Sequence, residues 1–307
     1  MGAISGQLLS ACINGITDGA TLFLVAVGLS LIFGVLRVLN VAHGSFYALG
    51  AFTAASAWLL IGALRLPPMW IYPALVLSAL AVGVAAGPLI ERLLLRWTFR
   101  IEAASQRENI QLLATYAIFL MLDDAQTLIW GSQPYYSGGA LRLLGVTRIQ
   151  GIGYTNYQLL LVPVAIAVLV GLRALLRGTS AGKFVLAVAE DPEISSALGV
   201  PVGRIYTLAF TLGAVLAALG GALASPTTGV SAGIGAHMIV LSFAVVATAG
   251  LGQIEGAGVA ALAIGIAHAV AVFFLPDLSA VIPYLIMLLV LVFKPHGLFA
   301  TAPARRI

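Results

Sequence analysis

Charged side chains are scarce in this sequence. Asp, Glu, Lys and Arg together make up 8% of its 307 residues, against about 25% in an ordinary soluble domain. So little charge cannot cover a water-facing surface, which excludes a soluble enzyme, a nucleic-acid binder and a disordered chain. Cysteine is nearly absent. Cys12 stands alone, so no intramolecular disulfide can form and the redox compartment leaves no trace. No charged residue precedes Asp18. A cleavable signal peptide carries a basic leading region, so the first apolar stretch is expected to stay as an anchor. A phosphate-binding loop is missing too. Gly178-Thr-Ser-Ala-Gly182-Lys183-Phe184 comes nearest, but only three residues separate its glycines and Phe follows the Lys, where the loop needs four and then Ser or Thr. No His, Cys and carboxylate spacing suggests a metal. No cofactor is expected in this chain, and no Ser/His/Asp arrangement supports hydrolysis.

What the sequence does have is hydrocarbon. Apolar residues make up 61% and the mean hydropathy is +1.08. A bilayer core of about 30 Å takes about 20 apolar residues per helix. Nine such stretches run near 7–34, 41–62, 69–90, 110–130, 156–176, 204–225, 236–251, 257–275 and 279–293. They are too long and too uniformly apolar for barrel strands, and helices satisfy every backbone group internally. The expected fold is an all-α, polytopic membrane protein with about 8–9 transmembrane helices, forming one transmembrane domain over 1–307. The seventh stretch is short and flanked by glycine, so a broken or re-entrant segment is expected there. Basic residues set the orientation. With the N-terminus outside and all nine stretches crossing, Arg37, Arg92, Arg96, Arg100, Arg107, Arg173, Arg177, Lys183, Arg204, Lys294, Arg305 and Arg306 fall inside. Arg65, Arg142 and Arg148 fall outside, so twelve of the fifteen are internal. The C-terminus is then cytoplasmic.

Three loops stand apart from the apolar runs. Residues 91–109 are basic and able to extend as helix, and residues 131–155 form an outer segment rich in Gly, Tyr and Ser. Residues 177–203 form a cytoplasmic loop. Within it Pro192 can open a helix, the acids Glu190, Asp191 and Glu193 suit the positive end of its dipole, and Gly199 can close it. Residues 191–198 therefore read as two helical turns carrying Ile194, Ala197 and Leu198. That segment is too short and too poor in Lys and Arg to lie on lipid. An apolar and acidic face of this size fits a groove on another protein; an ordinary capped loop helix fits the same residues.

Two glycine-rich segments resemble each other, Arg37 to Gly50 and Gly250 to Val259, with His43-Gly44 over Glu255-Gly256. Broken helices at repeated positions line substrate paths in transporters, while glycine that merely serves helix packing accounts for the same pattern. Ionisable groups at membrane depth are costly and point to function. Asp18 shares a helix face with Asn14. Asp123 and Asp124 are adjacent, so they point about 100° apart and only one can face a given cavity. A pathway or inter-helix role is expected for Asp18 and one of the pair. His237 and His268 read as packing residues.

Several segments in family order resemble the LivH-type permease subunit of branched-chain amino-acid ABC transporters. They are Gly28 to Gly34, Asn40 to Tyr47, Glu91-Arg92 with its basic loop, Ala187 to Gly199, Gly220 to Leu223 and Phe293 to Phe299. The resemblance implies that the segment around 185–200 is a coupling helix docking on an ATPase. It implies one or two ATPase subunits that bind the ATP, a periplasmic substrate-binding protein, a LivM-like second permease subunit and a bacterial inner membrane. The expected cargo is a branched-chain or other hydrophobic amino acid, or a related small amide or carboxylate. The acidic pair Asp123-Asp124 departs from the pattern expected of every amino-acid member. Asn40, His43, Ser45, Tyr47, Asp18 and Asp124 are expected to border the path. Glu190, Asp191, Glu193, Ile194, Ala197, Leu198 and Gly199 are expected to couple to the ATPase. An ion-coupled secondary transporter using Asp18 or Asp123/Asp124 stays open as the alternative.

Overall fold

A computed structural model of the chain describes residues 2–101, 103–149 and 151–300. Arg305 and Arg306, assigned to the inner side from the sequence, lie outside the described residues. The helices follow the apolar stretches in order: α1 (Gly2–Leu36), α2 (His43–Ala63), α3 (Ile71–Ile90), α4 (Ala104–Trp130), α5 (Gly139–Arg142), α6 (Asn156–Gly178), α7 (Ser180–Glu190), α8 (Pro192–Ala197), α9 (Val202–Thr228), α10 (Ile234–Ala249), α11 (Ile254–Phe274) and α12 (Ile282–Phe293). Eight helical segments among the described residues are long and apolar enough to cross a membrane, and α10 is a shorter ninth. Glycines stop α10 at both ends, Gly233 at φ 81° and Gly250 at φ 106°. Its 16 residues span about 24 Å, short of a 30 Å core, as its glycine flanks suggested.

Burial separates an inner layer from an outer one. The crossing part of α1 is 83% buried and that of α9 is 67%, against 28% for α3, 22% for α4 and α6 and 6% for α12. Helix α1 is therefore the hub, packed by α9, α10, α11 and α6. Small residues allow that closeness, as in membrane bundles generally. Gly15 and Gly19 are one turn apart on α1, and a Cβ built at Gly15 would come 2.5 Å from Ile266 Cα on α11. From the other side, a Cβ at Gly265 would meet Gly15 O at 2.6 Å. The second of the two segments aligned as a repeat packs on the end of α1: a Cβ at Gly252 would lie 2.9 Å from Gly34 Cα. Each segment forms a tight turn between two long helices, α1 to α2 and α10 to α11.

Two regions depart from the sequence expectation. Residues 131–155 are not plain loop. They hold α5 and an antiparallel hairpin, β1 (Val146–Ile149) with β2 (Ile152–Thr155), in which Val146 pairs with Thr155 and Ile149 with Ile152. Gly151 at φ 84° makes the turn, a conformation that favours glycine. Beyond α3 the helix does not simply extend. Pro88 sits inside α3, and the chain passes into a π turn at Glu91–Leu95 and a 3-10 turn at Arg96–Arg100. Pro removes an internal donor, and the ladder is re-registered in the π turn that follows.

Candidate transport path and coupling surface

The path residues expected from the sequence fall in three places. Asn40, His43, Ser45 and Tyr47 are fully buried around the first turn of α2. His43 Nε2 donates to the Val25 carbonyl of α1 at 2.9 Å, and the Ser45 hydroxyl donates to the Phe119 carbonyl of α4 at 3.4 Å. Thr115 of α4 ties the preceding turn, receiving Val41 N–H and donating to Leu39 O, both at 3.3 Å. These residues root α2 between α1 and α4. The Asn40 amide and His43 Nδ1 are buried with no protein partner, which leaves donors and acceptors for water or a solute.

Asp18 lies elsewhere. It lines an open cleft of about 300 Å3 with Thr21, Thr227, Thr228, His237 and His268. Five helices meet there: α1, the end of α9, the start of α10, α11 and the start of α12, which contributes Pro283. The two histidines, read from the sequence as packing residues, are cleft-lining groups instead. Nothing local marks them. They converge because the Gly15–Gly19 seam lets α1 lie directly on α11, bringing Asp18 level with His268. The Gly-x-x-x-Gly spacing was the available signal.

Asp124 is exposed on the outer face of α4, beside Leu120 (44% exposed) and Leu128 (88%). Asp123 is half-buried, and Gln126 is buried with its Nε2 unpartnered. The pair thus splits as helix geometry requires, and Asp124 is brought together with none of the other path candidates.

The segment around 191–199 has the capped helical form expected of it. Asp191 caps α8, its side chain accepting from Glu193 N–H at 2.9 Å and Ile194 N–H at 3.0 Å. Pro192 takes the first turn, where a missing donor costs nothing. Gly199 at φ 87° ends the segment, its N–H reaching Ser196 O at 2.9 Å. Ile194 is 60% exposed and Leu198 79%, with Ala197 exposed between them. Large apolar side chains left bare at a loop tip mark a contact surface. Helix α7, absent from the sequence reading, precedes α8. Thr179 caps it by accepting from Gly182 N–H at 3.0 Å, a signal that the sequence carried.

Glu190, Asp191 and Glu193 also line a cleft of about 330 Å3 with Arg37, Arg107 and Tyr206. Arg37 ends α1 at φ 55°, a left-handed conformation for a residue with a side chain. Its Nη2 donates to Ala189 O at 3.4 Å and Glu190 O at 3.5 Å. A cation at the end of α7 complements that helix's dipole. Glu91 was missed as a candidate. It is fully buried in the π turn, accepts from the Thr207 hydroxyl at 2.6 Å and pairs with Arg96 at 3.7 Å. Its place at the end of an apolar run, and the Glu91-Arg92 pair in the family resemblance, were the available signals. Among the described residues no group of three His, Cys, Asp or Glu could hold a metal ion.

A many-helix membrane bundle with an open cleft lined by Asp18, His237 and His268 and a capped, apolar-tipped helix projecting from one end is a membrane transport subunit. The chain belongs to the family described as "Branched-chain amino acid transport system / permease component", whose profile matches residues 11–291. It is 28% identical to the high-affinity branched-chain amino acid transport system permease protein BraD of Pseudomonas aeruginosa, over 97% of this chain and 98% of that one. It is 26% identical to LivH of Escherichia coli, covering 97% of each. Among solved structures, PsaBC from Streptococcus pneumoniae in complex with Fab aligns over 95% of this chain and 92% of that chain, with TM-score 0.47 and 14% identity.

Proposed function

We propose that this chain is the translocating permease of an ATP-driven importer in a bacterial inner membrane, with its N-terminus outside and its C-terminus in the cytoplasm. The cargo is a branched-chain or other hydrophobic amino acid, or a related small amide or carboxylate. It is delivered by a periplasmic binding protein. ATP is bound and hydrolysed by one or two separate ATPase subunits, and a LivM-like second permease completes the pore. The observation that carries this reading is α8: a helix capped at both ends, holding Ile194 and Leu198 out of the bundle where a partner's groove can take them. The names of BraD and LivH supply the cargo class.

In this reading Glu190, Asp191, Glu193, Ile194, Ala197, Leu198 and Gly199 form the ATPase contact. Asp18 meets solute in its cleft. Asn40, His43, Ser45 and Tyr47 position the start of α2 beside the path. Asp124 faces the second permease, since a carboxylate turned toward hydrocarbon is costly. The clustering of Arg37 with the end of α7 supports the inward placement of both.

The test is reconstitution. The chain, its second permease and its ATPase are placed in proteoliposomes with the binding protein, and leucine uptake and ATP hydrolysis are followed together. Uptake that requires ATP and every partner is the expected result. Uptake by the chain alone, driven by an ion gradient, overturns the reading and makes the aspartates the coupling groups.

A further inference from the structure

We infer that the groove between α6 and α11 is a binding site for one anionic phospholipid, with an acyl chain lying on α1 and the phosphate held by Arg173 and Arg177. This goes beyond the transport reading above and does not depend on it.

Helices α6 and α11 both lean on α1 and stand apart above it, leaving a groove of about 290 Å3. Its floor is buried: Ala20 and Phe23 of α1 with Ala165 of α6. Its rims are Ile166 of α6 and Val259 and Leu262 of α11, which are 57%, 54% and 41% exposed. An apolar gap offers water no partners and stays dry. Beside a bilayer, the hydrocarbon that fits it is an acyl chain. The groove runs from Glu255 to Leu262 on α11 and from Leu169 to Val162 on α6, about 10 Å along each helix. That lies within one leaflet's hydrocarbon, half of a core of about 30 Å.

Charge at one end selects the lipid. The stripe of α6 that lines the groove, Val162, Ile166 and Leu169, continues at helical spacing to Arg173 and Arg177. Both guanidiniums share one oxygen of Glu255, Arg173 Nη1 at 3.0 Å and Arg177 Nη2 at 3.3 Å. Among the described residues no other acid is within ion-pair reach of either. Two cations on one carboxylate leave a positive charge over. Each guanidinium carries five N–H donors, and both side chains are more than half exposed, so donors remain for a phosphate, which arginine holds bidentately. Basic pockets between helices hold anionic headgroups in this way. A zwitterionic lipid brings its own cation and gains little here, and a soluble anion gains nothing from the groove.

The full chain in dodecyl maltoside micelles is titrated with dioleoylphosphatidylglycerol, and bound lipid is counted by native mass spectrometry. One saturable lipid is expected, displaced by neither dioleoylphosphatidylcholine nor sn-glycerol 3-phosphate. Displacement by either, at equal concentration, overturns the proposal. Arg173→Gln with Arg177→Gln should weaken binding at least about tenfold. Glu255→Gln removes the competing anion and should tighten it about fivefold; a merely structural ion pair predicts no gain, and no gain overturns the placing of the phosphate. Gly258→Leu tests the groove itself. A Cβ there meets Phe23 at 3.6 Å and Leu169 at 3.9 Å, which is ordinary contact, so the larger side chain fills the groove and should abolish binding with both arginines still present. Wild-type binding by a folded Gly258→Leu overturns the acyl-chain site. Arg148→Gln, exposed on β1, controls for net charge and should bind as wild type. Melting curves check the folding of each variant. The titration is repeated on the chain assembled with its second permease. Retained lipid is expected; loss of the lipid gives the groove to that subunit and overturns the proposal. The assay uses neither ATP nor transport, so its failure is distinct from failure of ATP-driven uptake.

Discussion

The two ends of this bundle are built by opposite means. At one end the α8 tip depends on residues close together in sequence: Asp191 caps, Pro192 starts and Gly199 stops, all within nine positions. At the other, the Asp18 cleft draws Thr228, His237 and His268 from three further helices. No local rule places them; a glycine seam does. A device assembled from neighbours can be altered without disturbing the bundle. A device assembled by helix contact cannot.

That contrast can be broken most forcefully at the seam. Gly15→Leu puts a branched side chain where even a Cβ lies 2.5 Å from backbone. Overpacking of this kind costs about 1–3 kcal/mol or more. The variant should melt well below wild type in detergent and lose leucine uptake in the reconstituted importer. A Gly15→Leu protein of native stability that still transports leucine would show that the cleft does not depend on the seam. The next effect is confined to the tip. Ile194 and Leu198 are exposed, so replacing both by Ala should leave melting within about 0.5 kcal/mol. Each side chain contributes about 2 kcal/mol when buried on a partner, so co-purification of the ATPase and leucine uptake should both collapse. Intact co-purification would remove α8 from the ATPase contact.

A smaller effect sharpens the picture of the tip. Asp191→Ala removes a cap of about 1 kcal/mol. Amide exchange at Glu193 and Ile194 should quicken, with uptake reduced but not abolished. The smallest is expected where two arginines meet one exposed acid. Arg173 and Arg177 lie 3.0 and 3.3 Å from Glu255, yet all three side chains are more than half exposed. Arg177→Ala should shift stability by about 0.5 kcal/mol or less, and high salt should erase even that.

The same contrast explains what could be read in advance. The crossings were legible because a bilayer demands long apolar runs, and α10 was flagged by the glycines that stop it. The α8 tip was legible down to its caps. The hairpin at 146–155 was not, since two four-residue strands leave no periodic signal beside long helices. His237 and His268 were misjudged because their neighbours lie on other helices. Asn40, His43, Ser45 and Tyr47 sit together where the repeat placed them, but as the buried root of α2 and not on the wall of the Asp18 cleft. Asp123 and Asp124 divided as adjacent helical residues must, yet which of them faced outward was fixed by how α4 leans on the bundle.

Arg37 gives the hub helix a mechanical character. Its side chain grips the last carbonyls of α7, one residue before the cap of α8, and its strained backbone holds the grip at the very tip of α1. From Arg37 to Asp18 is a straight helical run of about 28 Å. Such a rod does not bend in its middle as a loop would. Its Asp18 end lies where the Gly15–Gly19 seam presses it against α11, and its other end reaches the last carbonyls of α7, so one unbroken helix ties the cleft to the segment that carries α8.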